Sequence, residues 1–175
     1  MTVKPLTINE VLRFANHDFL NQLHLIQMNL DLDRVQEAKT IIQNISDHCK
    51  MLSNINKTKL TKTIEWLQTF TWRFPAIELS LESKVLQAVN MELDEQIVQY
   101  LEKTIIHLYD ELDPFTEQKL LITIESNADQ FQLTFHLKGS WQTPLLLEKE
   151  INQLQINMIE ATNESLYFIL SASQE

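Results

Sequence analysis

His17 is followed directly by Asp18 and one helical turn later by Asn21, inside a stretch from Leu6 to Leu60 that contains neither glycine nor proline. On a helix turning about 100° per residue, Ile8, Leu12, Ala15, Phe19, Leu23, Ile26 and Leu30 share one stripe, with His17 about 160° from its centre. Arg13, Asn21 and His24 fall within about 40° of His17 on the outward face. An imidazole, whose ordinary pKa is about 6.5, keeps a lone pair on one ring nitrogen near neutral pH, and that lone pair can attack phosphorus. Asp18 could hold the other ring N–H and stabilise the imidazolium that develops during attack. Arg13 could steady phosphoryl oxygens, Asn21 could form a hydrogen bond across an interface, and Leu20 and His24 extend the candidate docking face. The same residues equally describe the solvated face of an ordinary amphipathic helix, and spacing alone does not separate the two readings.

The elements that must carry these residues begin with a capping box, Thr7 and Glu10, opening a helix from Ile8 to about Asn29. Leu30 to Asp33 reads as a tight connection, and Asp33 with Gln36 as a second capping pair. Val35, Ala38, Ile42, Ile45, Cys49 and Leu52 then form the stripe of a helix reaching about Asn54. A connection this short makes the helices antiparallel. Val11, Phe14, Leu20, Leu25, Met28, Ile41 and Met51 widen the apolar surface beyond what one seam can cover. Two chains packing as a four-helix bundle about a two-fold axis would bury it; the alternative is that the hairpin packs on its own C-terminal half.

Asn54 to Lys59 is polar and reads as a linker, after which the periodicity changes. Thr63–Trp72 predicts a short helix, and Ile77–Glu82 alternates as a strand. Asp94–Leu112 predicts a long helix with Ile97, Leu101, Ile105 and Leu108 on one face. Lys119–Glu125 and Phe131–Lys138 predict a strand pair, Pro144–Gln155 a helix, and Ser165–Ser173 a final strand. The expected chain is α+β: a helical hairpin over residues 1–56, then a small, mostly antiparallel sheet with helices on one face over residues 57–175. Trp66, Trp72, Phe74 and Trp141 read as core, since no basic residues interleave them as in a nucleic-acid platform.

Composition narrows the function. Of 175 residues one is glycine, Gly139, so no phosphate-cradling loop or dinucleotide fingerprint can be drawn, and ATP is an improbable phosphoryl source. Residues 1–60 hold seven Lys/Arg and six Asp/Glu, whereas the remainder holds seven and eighteen, an acidity that argues against a nucleic-acid surface. Cys49 is the only cysteine, which excludes an internal disulfide and a multi-cysteine zinc site. With no apolar run of about 18 residues and no signal-peptide core, the expected location is the cytoplasm, away from membranes. The glycosylation triplets at Asn44, Asn56 and Asn163 are discounted for the same reason. His48, His107 and His136 read as structural or surface residues.

The run His17-Asp18-Phe19-Leu20-Asn21-Gln22-Leu23-His24-Leu25-Ile26, then Asn29-Leu30, Leu52-Ser53-Asn54 and Phe70-Thr71-Trp72, resembles the sporulation initiation phosphotransferase B family of endospore-forming bacteria. The resemblance runs through the chain in order and is most specific in the first helix. It implies a homodimer built on a four-helix bundle and a C-terminal α/β sandwich similar to a degenerate histidine-kinase ATPase domain. It implies a histidine at the position of His17 that accepts a phosphoryl group from one response regulator's aspartate and passes it to a second regulator's. Magnesium would sit in the regulator's acidic pocket, with no cofactor or metal ligand on this chain. Two positions depart from the family: Phe19 stands where a tryptophan is expected, and Met28 where a small residue is expected. The segment Leu101 to Asp110 also lacks the asparagines with which active kinases hold magnesium-ATP. The leading expectation is a phosphorelay phosphotransferase; the alternative is a non-catalytic dimer of the same fold that binds or scaffolds response regulators. An autophosphorylating kinase is disfavoured by the missing nucleotide elements.

Overall fold

The computed structural model describes residues 6–142, 150–151 and 153–174. The chain is α+β and divides into two compact units, one running to Ser53 and one from Asn54 onward.

The first unit consists of α1 (Ile8–Asp31) and the greater part of α2 (Val35–Ile55). Thr7 caps α1 as its sequence requires: Glu10 N donates to Thr7 Oγ1 at 3.3 Å and Thr7 N to Glu10 Oε2 at 2.8 Å. The second capping pair is absent. Asp33 has φ 58°, in the left-handed region, and α2 begins two residues later, so Asp33 forms the turn instead of the cap. Asp33 N donates to Leu30 O at 3.0 Å and Arg34 N to Asn29 O at 2.7 Å, which satisfies two of the carbonyls that α1 leaves open at its end. Among the described residues of this unit only Asn29 and Ala38 are buried. Its apolar stripe stands in the open.

The polar segment expected as a linker is ordered. α2 continues to Ile55 and passes into a 3₁₀ turn, Asn56–Thr58, whose residues are built into the second unit. Asn54 Oδ1 accepts from Val85 N at 2.9 Å, Thr58 O accepts from Val89 N at 2.9 Å, and Ile55 and Thr58 are fully buried. Two of the polar side chains that made this stretch look like a linker, Asn54 and Thr58, are here hydrogen-bonded into the fold, while Asn56, Lys57 and Lys59 stay exposed.

The second unit carries α3 (Thr61–Arg73), α4 (Leu93–Tyr109) and six strands: β1 (Ile77–Val85), β2 (Gln118–Ser126), β3 (Gln130–Lys138), β4 (Glu150–Ile151), β5 (Leu154–Ala161) and β6 (Ser165–Ser173). The sheet order is β1-β2-β3-β6-β5-β4. β1 and β2 are parallel, joined through α4; every other pair is antiparallel. One sheet face is apolar, with Leu120, Ile122, Ile124, Leu133, Phe135, Phe168 and Leu170 all buried. Ile97, Leu101, Ile105 and Leu108 of α4 are buried as their spacing predicts, and Tyr100 meets Phe168 edge-on at 5.3 Å. Trp66, Phe74 and Trp141 lie in the core and Trp72 is half-buried.

Two elements differ from expectation. The helix predicted over 144–155 is strand where it is described: residues 144–149 and 152 lie outside the described residues, while β4 and β5 occupy the rest. Leu154, Ile156 and Met158 alternate toward the core against β6, a period of two that the neighbouring leucine run obscured. α4 ends at Tyr109, three residues early, because Leu112 leaves the helix to bridge Trp141.

α3 starts without a cap of its own. The preceding Leu60 offers no side-chain bond, and the acceptor comes from α4: Asp94 Oδ2 accepts from Lys62 N and Oδ1 from Thr63 N, both at 2.8 Å. Farther along α3, Trp66 Nε1 donates to Glu102 Oε2 at 2.6 Å and Arg73 pairs with the other oxygen of the same carboxylate. Hydrogen bonds from backbone, hydroxyl and indole donors, together with the ion pairs Arg73–Glu102 and Lys62–Glu95, thus hold α3 against α4.

Candidate functional site

His17 stands in the third turn of α1, on the face opposite the apolar stripe, with its side chain 70% exposed. Two polar groups converge on one of its ring nitrogens. Nδ1 lies 3.3 Å from Asp18 Oδ1 and 3.3 Å from Asn21 Nδ2. Both contacts are on the same side of the ring, and neither involves Nε2, the nitrogen at the far edge. The arrangement is therefore an exposed imidazole steadied at Nδ1, the geometry a nucleophilic histidine needs when its target arrives on another protein.

The other residues expected here are not gathered around His17. The Arg13 guanidinium lies over the Phe14 ring, 5.4 Å from its centroid, so its charge rests on a neighbouring aromatic. Leu20 is half exposed and His24 is exposed, both in α1. Asn21 was expected to reach across an interface; its amide instead turns to His17 of its own chain, because side chains four residues apart on a helix face each other. Spacing placed Asn21 on the right face but could not give the direction of its amide.

Two of the remaining histidines are held by neighbouring groups. His107 Nδ1 lies 2.6 Å from the Lys103 carbonyl one turn back. His136 stacks on Tyr167 at 4.8 Å, and burial, reinforced by Lys138 and opposed by Glu160, pushes its imidazole below the ordinary value. His48 is exposed on α2. Among the described residues no three His, Cys, Asp or Glu side chains gather to hold a metal ion, and no helix is long and apolar enough to cross a membrane.

Residues 2–58 match the family model of the sensor kinase SpoOB-type alpha-helical domain. The helical hairpin is SpoOB-like. A curated relative, the sporulation initiation phosphotransferase B of Bacillus subtilis (strain 168), is 24% identical over 129 residues, covering 73% of this chain and 66% of the relative, just under two thirds of its length. The SpoOB-like chain is also similar in structure to histidine kinases. Acinetobacter baumannii AdeS matches at 13% identity and TM-score 0.46, over 91% of this chain and 98% of that one. A histidine kinase from Burkholderia phymatum STM815 matches at 13% identity and TM-score 0.40, over 96% and 99% of the two chains. ThkA, solved in complex with the response regulator protein TrrA, matches at 11% identity and TM-score 0.43, over 95% of this chain and 61% of that one.

Proposed function

We propose that this protein is a phosphorelay phosphotransferase, taking a phosphoryl group from the aspartate of one response regulator onto His17 and passing it to the aspartate of another. The observation that carries this reading is the exposed imidazole held at Nδ1 on a SpoOB-type helix. With its proton on Nδ1, the ring presents a lone pair at Nε2 for in-line attack on phosphorus. The N–P bond forms, the P–O bond to the aspartate breaks, and the carboxylate leaves with the electron pair. The phosphoimidazole keeps its Nδ1 proton and becomes cationic, and the Asp18 carboxylate beside it offsets that charge. Magnesium belongs to the regulator's own acidic pocket, which contributes most of the phosphoryl charge stabilisation.

Three features support acceptance from a phosphoprotein over autophosphorylation from ATP. α4 contains no asparagine to ligate magnesium. The space above Gly139, the chain's one glycine, is filled by Gln118: an ideal Cβ on Gly139 would sit 1.6 Å from Gln118 Oε1. Elsewhere in this unit, a groove of about 600 Å³ lined by Gln87, Asn90, Gln155 and Gln174 has, among the described residues, no charged side chain to hold a triphosphate. The second unit serves in this reading as a degenerate ATPase-like domain.

The reading includes a homodimer. Leu12, Phe19, Leu23 and Ile42 are 56%, 58%, 44% and 52% exposed in the single chain, an apolar surface that a second hairpin would cover as a four-helix bundle. The test is to mix the full chain with a ³²P-labelled response regulator. Acid-labile label should appear on the wild type and be abolished in His17→Ala, with unchanged circular dichroism because the substituted side chain is exposed. Label on His17→Ala would refute the assignment, and binding without any label would favour the non-catalytic scaffold.

A further inference from the structure

The groove of about 600 Å³ in the second unit is enclosed by segments far apart in sequence: the loop between β1 and α4, the β2–β3 turn, the start of β5 and the end of β6. Its floor is apolar, with Val89, Leu93 and Ala172 buried, and most of its polar lining is uncharged amide. Two of those amides are pinned at one end. Asn90 Oδ1 accepts from Glu92 N at 3.0 Å, which leaves the Nδ2 donors without a partner among the described residues. Gln174 Nε2 donates to Ser126 Oγ at 2.8 Å and to Asn127 O at 3.1 Å, which spends both of its N–H groups and leaves Oε1 as an acceptor. Gln87, Gln153 and Gln155 make no side-chain hydrogen bond among the described residues.

The groove therefore offers one oriented donor and one oriented acceptor beside an apolar floor. A peptide backbone presents the complementary pair, a C=O and an N–H. The lining narrows the ligand further. A charged group entering here would lose water without meeting a counter-charge, since the described lining carries none. A sugar or nucleobase would find no aromatic ring among the described lining residues on which to lay its flat face. Leu86 and Met91, at either end of the loop that lines the groove, are largely exposed, and both suit the side chains of a polypeptide longer than the groove itself. We propose that this groove binds an extended, uncharged segment of a partner polypeptide with small apolar side chains, Asn90 donating to one of its carbonyls and Gln174 accepting from one of its N–H groups. The volume lies within the range of built small-ligand sites. All of the lining residues belong to the second unit, so the site stands apart from His17 and from the phosphotransfer reading.

The test titrates the ¹⁵N-labelled full chain with the blocked tetrapeptide N-acetyl-Ala-Val-Ala-Val-amide and follows side-chain amide signals in ¹H–¹⁵N correlation spectra. The Asn90 and Gln174 signals should shift together and saturate, with a Kd of about 1 mM or tighter. Glutamate or lysine in place of the first valine should weaken binding about tenfold or more. Asn90→Asp keeps the oxygen that accepts from Glu92 N but replaces the free donor by an acceptor, so it should abolish binding with circular dichroism unchanged. Gln155→Ala, at an exposed position with no hydrogen bond to lose, should fold as wild type and weaken binding about fivefold, the size one ordinary hydrogen bond supplies. The proposal is overturned by the absence of saturable shifts at about 10 mM peptide, by shifts that spare Asn90 and Gln174, by wild-type affinity in folded Asn90→Asp or in Gln155→Ala, or by tighter binding of the charged peptides or of maltose.

Discussion

Replacing Asp94 by alanine should unfasten α3. The carboxylate is 7% exposed and accepts four hydrogen bonds: Lys62 N, Thr63 N and Thr63 Oγ1 at 2.8 Å, and Thr61 Oγ1 at 3.4 Å. Losing an N-cap of this kind costs about 1–2 kcal/mol. The Thr63 hydroxyl, in a residue only 1% exposed, would be left without its acceptor, adding about 1–2 kcal/mol. The sum, about 3 kcal/mol, corresponds to a fall of about 10 °C in the melting temperature of a unit this size. Near-ultraviolet circular dichroism reports on Trp66, which lies in α3 between the cap and the Glu102 contact. Asp94→Asn keeps one acceptor oxygen but turns an N–H toward a helix end that already offers donors, so it should lose nearly as much. The effect should persist in high salt, since these are short buried bonds, whereas the exposed Lys62–Glu95 pair nearby is screened. A loss under about 1 kcal/mol, or one that salt abolishes, would show that α3 is held by its aromatic face alone and that the cap is incidental.

Gly139→Ala should destabilise the second unit by about 2–3 kcal/mol in urea unfolding, because the new methyl displaces the Gln118 amide from the Asp113, Thr116 and Ser140 backbone groups it serves; wild-type stability would mean that the amide moves aside at no cost. Leu23→Glu should convert a dimer to a monomer in sedimentation velocity of the full chain while leaving its helicity intact, since the side chain is 44% exposed in one chain and would be an unpaired charge in the seam of two. Identical sedimentation of variant and wild type as dimers would move the interface off this stripe.

Much of this molecule is legible in local pattern. The capping box at Thr7, the alternation through β2, β3 and β6, and the four-residue stripe of α4 each lie within one element and appear where their residues predict. What escaped depends on distant partners. Asp94 caps a helix that starts 33 residues earlier, and nothing near Thr61 signals it. Thr58 looks like linker until its carbonyl meets Val89 and its side chain is buried. β5 is a strand because β6 lies beside it. At the candidate site the residue types and the outward face were readable from spacing, while the convergence of Asp18 and Asn21 on one nitrogen is a matter of side-chain rotamers, which spacing does not encode.

The place of β6 in the sheet bears on how the protein is made. It is synthesised after every other strand, yet it lies between β3 and β5 and carries Phe168, whose ring stacks on Phe135 at 4.6 Å. A nascent chain that has emerged only as far as β5 therefore has no interior strand joining its sheet, and β3 presents an open edge with Leu133 and Phe135 beside it. The second unit closes only after Leu166 to Ala172 have left the ribosome, which makes its folding late and leaves ribosome-stalled or C-terminally truncated chains exposed to aggregation and proteolysis. The two helices of the hairpin precede every strand in the chain, so under the proposed dimer they would have had the time it takes to make the second unit in which to meet a neighbour emerging from the same message.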